Sequence, residues 1–205
     1  MKYFPFIFAF FLSSLLFADS NLINLKLDQA KIEIRNKNYF KSIILLNTIL
    51  TELNEKQQAQ LSSFFPEAFS NYTLKKNPYH LGDDLTQTQS LQVLSTKQFI
   101  SSNDETVDVN LVFDDPSIKE FIRIIETPSL VSNLENTQVV TFANKYKGLE
   151  KYFDIEKYYE CNIILNNQTL LNIVANGVED RSFINEFLEQ VNLEKIDKFI
   201  SLKNQ

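Results

Sequence analysis

Few side chains in this sequence could build a reaction or a metal site: one histidine, one cysteine and four pairs of adjacent acids. His80, in Asn77-Pro78-Tyr79-His80, has no second His or Cys at ligand spacing, so zinc there would need carboxylates in an unusual geometry. Asp83-Asp84, Asp104-Glu105, Asp114-Asp115 and Glu179-Asp180 could offer oxygens to calcium. No EF-hand spacing accompanies them, and each pair falls where a turn or a helix start favours Asp, so they are read as structural. Cys161 and His80 would form a thiol dyad only if a strand residue met a distant loop. Tyr159, Cys161, Ile163 and Leu165 alternate on one strand face, which marks the thiol as a buried packing group.

Serine chemistry lacks its frame, since neither Gly-x-Ser-x-Gly nor Ser-x-x-Lys occurs. With 3 Gly in all, there is no Gly-rich loop to cradle a phosphate. Asn71-Tyr72-Thr73 and Asn167-Gln168-Thr169 match the glycosylation sequon, a pattern too short to carry a conclusion. No catalytic residue, metal or cofactor is assigned, and the reading is non-enzymatic.

Surface recognition is left. The segment Lys75-Lys76-Asn77-Pro78-Tyr79-His80 and the run from Lys145-Tyr146-Lys147 to Lys151-Tyr152 combine cations with aromatics, a pairing favoured at interfaces. Together with Tyr39, the candidate interaction residues are Lys75, Tyr79, His80, Tyr146 and Tyr152; the alternative is that these segments are solvated turns.

At the N-terminus, Lys2 precedes an apolar run from Tyr3 to Phe17, the layout of a secretory signal. Ala18-Asp19-Ser20 offers a cut after Ala18 or Ser20, a retained anchor being the alternative, and no Cys stands there for a lipid anchor. The expectation is a periplasmic protein with no membrane span once residues 1–20 are removed. The formal net charge of −6 argues against nucleic acid and against an anionic membrane, both of which call for a basic face. One cysteine cannot close an intramolecular disulfide, so stability must come from a core rich in Phe, of which there are 18.

Apolar residues at Ile23, Leu27, Ala30 and Ile34 predict one helix, and Asn36-Lys37-Asn38 interrupts it. Phe40, Ile43, Leu46, Leu50, Leu53, Gln57, Leu61 and Phe64 predict a second helix, stopped by Pro66. The expectation is an antiparallel helical hairpin over 21–65, like half of a tetratricopeptide unit but without the further copies such arrays need. Residues 66–88, with Pro66, Pro78 and Gly82, read as a connecting segment. An α+β domain is placed at 89–205. It holds a hairpin of strands around the Ser101–Glu105 turn, a helix started by Asp115-Pro116, and strands at 137–144, 149–153, 158–165 and 169–175. Asn166-Asn167 is expected to supply positive φ at the last hairpin. Phe183, Phe187, Leu188, Val191, Ile196, Phe199 and Ile200 predict one or two closing helices. The fold class is α+β: an α-hairpin, then a mostly antiparallel sheet covered on one face by helices.

Phe65-Pro66-Glu67-Ala68, Asn71-Tyr72-Thr73, Asp115-Pro116 and Val174-Ala175-Asn176-Gly177, in that order behind an exported hairpin, resemble a family of uncharacterised periplasmic proteins of Gram-negative bacteria. Its members carry Gly where this chain has Asn71. By element order alone the chain is also similar to antiparallel sandwiches of the PsbP and Mog type. The resemblance implies a fold and a compartment and no activity. Two functions are carried forward: an exported binding or protein-interaction module acting on another envelope protein or on itself, and a binder of a small apolar ligand or lipid between sheet and helices.

Overall fold

The computed structural model describes residues 21–75 and 93–201, which form two compact units that divide between Ala59 and Gln60. Residues 1–20, read above as a secretory signal, and Tyr79 and His80 lie outside the described residues.

In the first unit, helix α1 occupies 21–35 and α2 spans Tyr39–Ser62, most of which lies here. The stop between them is a Schellman motif. Lys37 takes φ 59°, Asn38 N–H donates to Glu33 O at 2.8 Å, and Lys37 N–H donates to Ile34 O at 3.0 Å. The Lys26–Glu52 ion pair ties the antiparallel helices together.

The second unit is an eight-stranded sheet: β1 (Ala68–Phe69), β2 (Tyr72–Leu74), β3 (Val93–Ser101), β4 (Thr106–Phe113), β5 (Thr137–Phe142), β6 (Tyr146–Phe153), β7 (Tyr158–Asn166) and β8 (Thr169–Asn176). Its spatial order is β1-β2-β3-β4-β8-β7-β6-β5, and every neighbouring pair is antiparallel. The helices are α3 (Pro116–Glu126), α4 (Pro128–Val131), α5 (Phe183–Gln190) and α6 (Leu193–Ile200). As the sequence predicts, Asp115 caps α3, its side chain accepting from Ser117 N at 2.8 Å.

Strand alternation sends Phe99, Val107, Val109, Leu111, Cys161, Ile163, Leu171 and Ile173 to one face, where they meet Phe183, Phe187, Leu193 and Ile196 of α5 and α6. Ile118 and Ile125 of α3 are buried outside that core, and α3 packs on β6 and β7. Helices therefore cover both faces of the sheet rather than the one expected. The α3 face carries a cross-strand polar chain: Asn110 donates to Asn172 at 3.2 Å, Asn172 to Asn162 at 2.9 Å, and Asn162 to Glu160 at 2.8 Å. Asn172 stands directly opposite both other asparagines, so a one-residue slip would break the chain as well as invert the faces.

Three details differ from the sequence reading. The segment expected as a connector contains β1 and β2, which bring Phe69 and Tyr72 into the core; the Phe69 ring lies 5.0 Å from that of Phe187 and 5.1 Å from that of Phe99. The second unit begins inside α2, because Leu61 and Phe65 are buried in the sheet's core. The β7–β8 turn closes without positive φ at Asn166 or Asn167; instead the Asn166 side chain accepts from Gln168 N–H at 2.9 Å. Positive φ appears at Ala143 and Asn144 between β5 and β6, where Ala gave no cue.

Candidate functional site

The residues named from sequence do not converge. Lys75 is exposed at the end of β2, its Nζ donating to Gln98 Oε1 at 3.1 Å. Tyr146 is 3% exposed: it receives a bond from Lys145 Nζ at 3.0 Å and donates to Asp197 Oδ2 at 3.2 Å, so its ring belongs to the core and not to a surface. Tyr152 is half-buried and donates to Glu179 O at 3.2 Å. Of Lys145-Tyr146-Lys147, Lys145 lies in an exposed turn, and Tyr146 and Lys147 open β6. Of the aromatics named from sequence, Tyr39 stays largely open, at 60%.

The groups with chemical potential are quenched. Cys161 is buried, and burial pushes its thiol up to about 12, which keeps it protonated. Asp104 sits at positive φ in the β3–β4 turn, Asp115 is an N-cap, and Asp180 accepts from Ser182 N–H at 3.0 Å, so these acids do turn work. Among the described residues no three His, Cys, Asp or Glu side chains form a group that could hold a metal. Asp197 gathers Asn166, Lys145, Tyr146 and Ser201 on its two oxygens and is saturated by them.

Sequence reasoning missed one polar cleft. Glu150, 5% exposed, accepts from Gln138 Nε2 and lies 3.7 Å from Arg181 Nη1. Two adjoining clefts of about 400 and 480 Å³ share these three residues. The nearby Tyr159 hydroxyl is buried with no hydrogen-bond partner, and burial, then Cys161 and Glu150, hold its proton on. A single lysine or arginine opposite a carboxylate is common on surfaces, and the hydroxyls that line these clefts, Ser132, Thr137, Thr141, Tyr152 and Ser182, have no histidine or lysine beside them in the lining to act as a base.

The largest departure from an ordinary surface is on the hairpin. α2 carries two seams. Ser42, Leu45, Ile49, Glu52 and Lys56, three and four apart, are buried or half-buried, and with Ala30, Leu27 and Ile23 of α1 they form the hairpin's inner side. The stripe that the sequence marked as apolar is the other one: Ile43 55%, Leu46 40%, Leu50 58% and Leu53 46% exposed. Its spacings of three, four and three residues match those of a and d positions in a heptad. From Ser42 to Thr51 the helix has no charge.

No family model, curated protein or solved structure matches the chain. What fold and surface define is a class: an antiparallel α+β domain with an N-terminal helical hairpin that leaves a heptad seam open.

Proposed function

We propose that this is an exported, non-enzymatic interaction module of the periplasm, and that the second seam of α2 is its docking surface. The observation that carries this is the exposure of Ile43, Leu46, Leu50 and Leu53 in heptad register. A second copy of the chain is the partner that fits. The seam is apolar and uncharged along Ser42 to Thr51, so two copies of an acidic protein can meet there without facing like charges, and an oppositely charged partner finds nothing to select. Export rests on the signal-like pattern of residues 1–20, and the periplasmic family resemblance agrees with it. The alternative, an apolar ligand between sheet and helices, has in its favour only an open cleft of about 830 Å³ beside Phe142, Leu188, Val191 and Leu193, because Phe69, Phe99, Phe183 and Phe187 fill the layer's interior. Native mass spectrometry of the exported protein after gentle crosslinking tests the reading. A homodimer linked through α2, at Lys41 for example, supports it, and a monomer at every concentration overturns it.

A further inference from the structure

From the tip of the hairpin, we infer that residues 31–44 form a docking element for an anionic lipid surface. This concerns the tip and not the seam, and it stands whether or not two copies pair. The Schellman stop at Lys37 folds the end of α1 against the start of α2, so this stretch lies within about two helical turns of one end. There Phe40 is 75% exposed, Tyr39 60%, Ile32 53%, Ile44 50% and Ile34 46%. Lys31, Arg35, Lys37 and Lys41 are interleaved with them and all exposed, against one acid, Glu33. Arg35, Lys37 and Lys41 make no ion pair among the described residues, while Lys31 pairs with Asp28 at 3.0 Å.

The whole chain is acidic, at −6, so the net charge conceals a local reversal of sign at the tip. Aromatic and aliphatic side chains among lysines and arginines are the composition that sits at a headgroup boundary, rings inserted and cations reaching back to phosphate. An acidic protein would satisfy the cations too. The exposed rings and aliphatic side chains of Tyr39, Phe40, Ile32 and Ile34 favour the bilayer, which takes a few inserted apolar side chains beside anionic headgroups.

Co-sedimentation with phosphatidylcholine vesicles, with and without about a third phosphatidylglycerol, reads this directly. The full chain and the chain from Asn21 onward are each compared with their own variants, because residues 1–20 are apolar enough to bind lipid unaided. The parent is expected to prefer the anionic vesicles and to release them as salt rises. Lys37→Glu with Lys41→Glu is expected to weaken that binding about twentyfold or more, and Phe40→Ser about tenfold, with unchanged circular dichroism. Binding unaffected by either variant, equal binding to both vesicle types, or no binding at all overturns the inference. So does a change in oligomeric state, rather than in vesicle affinity, on mutating Phe40. Variants of Leu46, Leu50 and Leu53, the seam residues beyond the tip, leave vesicle binding intact, which separates a failure here from a failure of the dimer.

Discussion

Ile49 and Leu50 are neighbours on α2, yet Ile49 is 6% exposed and Leu50 58%. Ile49 faces α1 and Leu50 faces outward in heptad register, so adjacent residues serve two different seams. Replacing each with Asp therefore has opposite consequences. Ile49→Asp buries a charge and is expected to cost about 3 kcal/mol or more, enough to melt the hairpin, read as lost helical circular dichroism. Leu50→Asp is expected to leave the helix signal unchanged.

The unpartnered hydroxyl of Tyr159 makes a clear test of the core. Tyr159→Phe removes a buried polar atom and keeps the ring that lies 5.2 Å from Phe183. Chemical denaturation is expected to show stabilisation by about 1 kcal/mol. A loss of that size would mean that the hydroxyl has a partner.

Gly148 is held by its surroundings. A Cβ there would stand 3.0 Å from Phe142 Cε2 and 3.3 Å from Asn162 O, and a carbonyl in a sheet cannot yield. Gly148→Ala is expected to lower stability by about 1–3 kcal/mol through overpacking at β6, measured by thermal melting.

Burial pushes the Asp197 carboxyl up, but hydrogen bonds from Asn166, Lys145, Ser201 and Tyr146 outweigh it and hold the acid below its usual range. A carboxyl lowered in the folded state stabilises the protein above its unfolded pKa, and that contribution is lost as pH falls through the folded value. Asp197→Asn is therefore expected to cost about 1–3 kcal/mol at neutral pH and much less near pH 2. Equal losses at both pH values would show that the charge plays no part.

With its thiol raised to about 12 by burial, Cys161 is expected to resist maleimide at pH 8 in the folded protein and to react once denaturant opens the core. Rapid labelling of the native protein would place it in a reactive setting after all.

Much of this architecture was legible in the sequence, for physical reasons. Period-two alternation from Val107 to Phe113 and the Asp115-Pro116 start signal marked β4 and α3 because burial on one face and capping act locally. β1 and β2 escaped because strands of two and three residues are too short to show a period; Phe69, Tyr72 and the partly buried Leu74 are their inward side chains. Periodicity found the apolar stripe of α2 but not its exposure. The inner seam uses Ser42, Glu52 and Lys56, which no hydropathy pattern marks as buried, and the ion pair of Glu52 with Lys26 is what places it inside. Glu150 and Arg181 were invisible because they lie 31 residues apart, on β6 and just before α5, and only the fold brings them together.

Sedimentation velocity over a range of concentrations, on the parent and on Leu46→Asp with Leu50→Asp, tests the open seam most directly. A parent dimer that the double variant reduces to a folded monomer is the expected result. A parent that stays monomeric, or a dimer that survives both charges, contradicts docking through this face of α2.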